Sequence, residues 1–122
     1  MKNQAYRMTL LYDFYGDMLT DRQKEFYDLY YNEDLSLAEI AENYGITRQG
    51  VRDVIVRAEA TLTELEDKTG IIRRFHKMQD QFTQIGQALD GIEQRNESRF
   101  QDDVLEGLCI QIRDVLSQLK QE

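Results

Sequence analysis

The chain has no proline and no tryptophan, one cysteine and one histidine among 122 residues. Each shortage excludes something. Without proline, no stretch is barred from the interior of a helix. The single cysteine, Cys109, cannot close an intrachain disulfide, which suits a reducing cytoplasm. With only His76 and Cys109, no set of side chains has metal-ligand spacing. No Ser-His-Asp set can be argued, no glycine-rich phosphate loop is present, and the acidic residues single out no catalytic pair. The expectation is a protein without catalytic residues, metal or cofactor. No apolar run approaches the ~18–20 residues that span a bilayer. The opening MKNQAYRMTLLYDF carries polar and acidic residues where a signal peptide would be continuously apolar. A cytoplasmic protein with no membrane span is expected.

Positive charge is also short, with 15 Lys and Arg against 23 Asp and Glu, a net charge of −8. A surface that holds phosphates is normally basic. Residues 1–70 carry 8 basic and 14 acidic side chains, net −6, and residues 71–122 carry 7 and 9, net −2. One segment runs against this balance. Residues 47–60 contain Arg48, Arg52 and Arg57 against Asp53 and Glu59, net +1.

That segment lies in the stretch that organises the chain, SLAEIAENYGITRQGVRDVIVRAEA, residues 36–60. Its apolar residues Leu37, Ile40, Ala41, Ile46, Val51, Val54 and Ile55 describe two short amphipathic helices broken at Gly45. Ser36 with Glu39 three residues on makes a capping box. Gly45 suits the left-handed residue that ends a helix. Thr47 is the expected N-cap of the second helix, and Gly50 stands where a capping-box Glu or Gln would. Glycine there costs about 0.5–1 kcal/mol against alanine, so it marks close packing or backbone approach to a ligand. Two helices joined by a glycine turn, with small Ala41 at their crossing, form a helix-turn-helix.

Glu39-Ile40-Ala41, Gly45, Ile46-Thr47-Arg48 and Val51 resemble the helix-turn-helix of sigma-factor region 4. With the flanking LLYDFYGDMLTDRQKEFYDLYYNEDLSLAEIAE, residues 10–42, the chain resembles the YlxM-like family of small bacterial helix-turn-helix proteins over roughly its first 75 residues. The resemblance implies DNA binding. It also implies a tie to protein targeting, because genes of this family commonly neighbour those of the signal recognition particle. The protein and the RNA of that particle are therefore further candidate partners.

Around the motif, Met8, Leu11, Tyr12, Tyr15 and Met18 predict a first helix over residues 6–18. Thr20 with Gln23 predicts a capping box opening a second helix through Phe26, Leu29 and Tyr30. The clustered aromatics Tyr12, Phe14, Tyr15, Phe26, Tyr27, Tyr30 and Tyr31 are expected to pack beneath the motif. A base-stacking platform is the alternative. The motif's second helix continues through Ala58, Leu62 and Leu65 to Thr69-Gly70.

Beyond it, Ile71, Phe75, Met78, Phe82, Ile85, Leu89 and Ile92 follow heptad spacing, and Asn96-Glu97-Ser98 interrupts it. A second seam runs Leu105, Leu108, Ile112, Val115 and Leu119. Two such helices read as an antiparallel hairpin, which alone buries too little to be stable. A homodimer closing on Ile71, Phe75, Met78, Phe82, Ile85, Leu89, Leu105, Leu108, Ile112, Val115 and Leu119 is expected. Heptads of this length also occur in monomeric bundles. Cys109 reads as core or interface filler.

The fold expected is all-α, with a four-helix N-terminal domain over residues 1–70 and a helical hairpin over residues 71–122. The nucleic-acid-binding set is Thr47, Arg48, Gln49, Arg52, Asp53, Val56 and Arg57. Arg48 or Arg52 suits guanine, Gln49 suits adenine, and Thr47 and Arg57 suit phosphates. The alternative is the solvated face of an amphipathic helix. Arg73, Arg74, His76 and Lys77 form a basic cluster that reads as a solvated helix end or as an extension of a phosphate track.

Overall fold

The computed structural model describes residues 5–121; residues 1–4 and 122, the outer ends of the two expected domains, lie outside them. Among the described residues there are six α-helices and no strand. They are α1 (Ala5–Tyr15), α2 (Asp21–Tyr31), α3 (Leu37–Tyr44), α4 (Arg48–Thr69), α5 (Ile71–Arg95) and α6 (Asp103–Lys120). The fold is all-α, as composition and periodicity require. It divides into two compact units, Met1–Ile72 and Arg73–Glu122.

The first helix is shorter than its spacing predicts. α1 ends at Tyr15 and the chain passes into one 3₁₀ turn, Gly16–Met18. At three residues per turn the apolar phase is lost. Met18, expected on the buried stripe, is 67% exposed, and Leu19 takes the place in the core.

The helix starts are set locally. Thr20 and Gln23 form a full capping box on α2, and Ser36 and Glu39 form another on α3. Gly45 ends α3 at φ +66°, and Gly70 ends α4 at φ +62°, both left-handed. A side chain at either position would be strained.

α4 carries the N-terminal unit. Its stripe Val51, Ile55, Ala58 and Leu62 is wholly buried, at spacings of four, three and four residues. The upper half, Val51 and Ile55, packs with Phe26, Tyr30, Ile40 and Ala41 of α2 and α3. The lower half, Ala58 and Leu62, packs with Met8, Leu11, Tyr15, Leu19 and Tyr27. Burying a large apolar side chain completely stabilises by about 1.5–3 kcal/mol. One helix thus joins both clusters.

The aromatics lie beneath the motif. Phe26 and Tyr27 are fully buried, and Tyr15 and Tyr30 nearly so. Tyr12 stacks on Tyr27 with ring centroids 5.2 Å apart. Their hydroxyls have partners: Tyr27 donates to the Met8 carbonyl at 2.5 Å, Tyr31 to Glu59 at 2.5 Å, and Tyr44 to Glu25. Tyr15 donates to Glu66 Oε1 at 2.6 Å, and the same oxygen accepts the Ile72 N–H at 2.9 Å.

In the second unit α5 and α6 form an antiparallel hairpin. Arg113 on α6 fixes the register, forking onto Glu93 at 2.6 and 3.1 Å and reaching Asp90 at 2.5 Å. The link is a single π turn, Asn96–Phe100, followed by Gln101 at φ +47° and the N-cap Asp102. Asn96, read from sequence as a polar interruption, is buried.

The seam within the hairpin is narrower than the heptads predict. Phe82 and Leu89 of α5, with Cys109 and Leu116 of α6, are buried. Phe82 and Leu89, expected at a dimer interface, are thus consumed within their own chain. α6 turns Cys109 and Leu116 inward, one position beyond the expected Leu108 and Val115, which are 50% and 51% exposed. The Arg113 register brings Leu119, near the end of α6, to Ile85. The first three turns of α5 therefore extend beyond α6.

Candidate nucleic-acid interface

The helix-turn-helix is α3, Gly45 to Thr47, and α4. Ile46 is half-buried against the Phe26–Ile40–Ile55 cluster and seats the turn. Thr47 Oγ1 caps α4 by accepting the Gly50 N–H at 3.0 Å. A Cβ on Gly50 would meet that Oγ1 at 3.2 Å. The close neighbour of Gly50 is therefore the cap itself.

Thr47, Arg48, Gln49 and Arg52 border a shallow hollow of about 510 Å³, with Leu37 of α3 on its far side. All four are exposed. Their guanidinium, carboxamide and hydroxyl groups flank the N-terminus of α4, where backbone N–H groups and the helix dipole favour an anion. Asp53 joins them through Gln49, whose Nε2 donates to Asp53 Oδ1 at 2.9 Å. That bond turns the carboxamide in one direction and places a carboxylate among the cations.

Val56 and Arg57 stand apart. Val56 is half-buried and lines a separate hollow with Met8, Glu59, Ala60 and Thr63, where α1 meets α4. Arg57 is exposed a turn beyond the Thr47–Arg52 group. The structure brings together Thr47, Arg48, Gln49, Arg52 and Asp53 of the seven residues singled out from sequence. Leu37 as a wall and the Gln49–Asp53 bond were not foreseen. The i, i+4 spacing of a carboxamide and a carboxylate on one helix face signals such a bond.

Arg73, Arg74, His76 and Lys77 are all exposed on the extended first turns of α5. Among the described residues, no group of three or more His, Cys, Asp or Glu side chains is placed to hold a metal ion. Among the described residues, no helix is long and apolar enough to cross a membrane.

Residues 2–102 match the sequence profile of a family described as "Putative helix-turn-helix protein, YlxM / p13 like", UPF0122. A UPF0122 protein of Desulforamulus reducens is 48% identical over 90 residues, 74% of this chain and 77% of the relative. One of Listeria monocytogenes is 36% identical over 120 residues, 98% of this chain and 97% of the relative. One of Bacillus velezensis is 38% identical over 102 residues, 84% and 93% of the two chains. The match spans the helix-turn-helix, α5 and the π turn, and the chain belongs to the UPF0122 family of YlxM/p13-like helix-turn-helix proteins.

Proposed function

We propose that the protein is a cytoplasmic, dimeric regulator that binds DNA through the first two turns of α4. The observation that carries this reading is the exposed Thr47, Arg48, Gln49 and Arg52 group around one hollow at a capped helix N-terminus. Recognition helices of helix-turn-helix proteins present their N-terminal residues to base edges in the major groove. Arg48 and Arg52 suit guanine O6 and N7, Gln49 suits adenine N6 and N7, and Thr47 and Arg57 suit phosphates.

The net charge of −8 sets the character of that binding. A locally basic surface on an acidic body has weak affinity for random duplex and a steep salt dependence. Discrimination then rests on base contacts.

A second reading is favoured by the same acidic balance and by the apolar residues exposed on the hairpin. In it, the fold is an interaction module for the protein or RNA of the signal recognition particle, a tie that rests on the gene neighbourhood of the family.

The deciding experiment measures binding of the wild type and of Arg48→Ala/Arg52→Ala across a salt series. Genomic DNA fragments and signal recognition particle RNA serve as separate ligands. Selection of particular DNA sequences, lost in the double variant, supports the regulator. RNA preferred over DNA supports the second reading. No binding to either at low salt overturns the nucleic-acid role.

A further inference from the structure

A row of large apolar side chains runs along the outer face of the second unit. Met78, Ile85 and Ile92 recur at intervals of seven residues on α5 and are 47%, 43% and 47% exposed. α6 adds Ile112, Val115 and Leu119, 46%, 51% and 47% exposed. Seven-residue recurrence is what one helix presents to another for knobs-into-holes packing. Between the helices, Ile85, Ile112, Val115, Leu116 and Leu119 wall an apolar hollow of about 300 Å³. That is room for one large side chain.

Two properties identify the occupant. The first is length: α5 has 25 residues and α6 has 18, so the first turns of α5, with Phe75 and Met78 exposed, have no α6 residue opposite them. The second is charge. Residues 71–82 carry Arg73, Arg74 and Lys77 against Asp80 alone, net +2. Residues 83–121 carry Asp90, Glu93, Glu97, Asp102, Asp103, Glu106 and Asp114 against Arg95, Arg99, Arg113 and Lys120, net −3. The unit is thus basic where it is a single helix and acidic where it is a hairpin.

We propose that this face takes a second copy of the chain, with the two α5 helices antiparallel. The basic single-helix part of each copy then lies along the acidic hairpin of the other, and Met78 enters the hollow beside Ile85. A two-fold axis between Met78 and Ile85 sets Ile71 near Ile92 of the partner copy. The parallel alternative lays α5 on the partner's α6. It puts basic against basic and acidic against acidic, a repulsive arrangement. The antiparallel one satisfies the overhang, the hollow and the charges together, in an isologous interface. This inference rests on the dimeric reading above and is independent of the nucleic-acid role.

The test uses the full-length chain in a Cys109→Ala background, with helix content checked by circular dichroism. Sedimentation equilibrium is expected to show a dimer, and Ile85→Lys to weaken self-association at least about tenfold with helix content unchanged. Single variants Ile71→Cys and Ile92→Cys, mixed and oxidised, are expected to give the mixed cross-link. Those two positions are about 30 Å apart along one helix, so a parallel pair cannot join them. A cross-link between Ile92→Cys and Ile112→Cys chains instead, positions that the Arg113 register sets level and that only a parallel pair brings together, overturns the antiparallel arrangement and leaves a dimer standing. A monomer at all concentrations overturns both.

Discussion

The carboxamide of Asn96 holds the backbone of Asp102 at both ends, accepting its N–H at 2.8 Å and donating to its carbonyl at 3.0 Å. One side chain thereby closes the turn between α5 and α6, and the Asn96 carbonyl accepts the Gln101 N–H at 2.6 Å. Asn96→Ala leaves the partly buried Asp102 N–H without its partner, whereas the Asp102 carbonyl keeps the Glu106 N–H at 3.1 Å. Loss of stability by about 1–3 kcal/mol is expected, read as a lower denaturant midpoint for the hairpin.

Gln101, held at φ +47° in the same turn, gives the opposite outcome. A left-handed conformation costs a non-glycine residue roughly 1–2 kcal/mol. Gln101→Gly is expected to raise stability by about 0.5–1 kcal/mol after glycine's larger entropy loss is subtracted. Chemical denaturation followed by circular dichroism measures it.

The cap of α4 is testable at two positions. Thr47→Ala removes the acceptor for the Gly50 N–H and is expected to cost about 0.5–2 kcal/mol, with Thr47→Ser retaining most of it. Gly50→Ala normally stabilises a helix by about 0.5–1 kcal/mol. Here the new methyl meets Thr47 Oγ1 at 3.2 Å, so a smaller gain or none is expected.

Asp53 sits among the cations of the proposed interface through its bond to Gln49. Asp53→Asn keeps an acceptor for Gln49 and removes one negative charge. A gain of roughly two- to fivefold in affinity for duplex of any sequence is expected at low salt, fading as salt is added. Fluorescence anisotropy on unrelated duplexes checks it; unchanged affinity would place Asp53 away from bound DNA.

Alkaline pH should open the N-terminal unit. Burial pushes the Tyr27 hydroxyl well above the ordinary value of 10.0. Burial, and then the bond to Glu59, does the same for Tyr31. A raised pKa in the folded state stabilises fully below the unfolded value. That stabilisation is lost as pH rises past 10 towards the folded values. Stability is therefore expected to hold to about pH 10 and fall above it, with tyrosinate absorbance and loss of helix rising together. Tyr31→Phe is expected to leave less of that loss.

Much of the fold was legible because its signals are local. Two capping boxes, two left-handed glycines and the spacing of Val51, Ile55, Ala58 and Leu62 specify four helix ends and a buried face without tertiary knowledge. Where periodicity alone was available, it overreached. It carried the first helix to Met18, because a 3₁₀ turn leaves no mark in the apolar spacing. It also read each hairpin seam as one face. Heptads contain two rows, and only pairing in three dimensions decides that Phe82 and Leu89 are buried while Met78 and Ile85 are left exposed. At the candidate interface, helical spacing grouped Arg48, Gln49, Arg52 and Asp53. Val56, at similar spacing, faces α1 instead, because Met8 in the first turn of α1 lies beside it. The identity of the ligand lies outside what spacing encodes.

The crowding of aromatic residues under the motif makes the molecule two-coloured to a spectroscopist. All seven tyrosines fall between Tyr6 and Tyr44, there is no tryptophan, and residues 73–122 contain no tyrosine. Tyrosine emission and the tyrosine band of the near-ultraviolet dichroism therefore report the N-terminal unit, whereas far-ultraviolet dichroism counts helix in both. Melting curves from the two signals superimpose if the units unfold as one and separate if they do not, with no label attached.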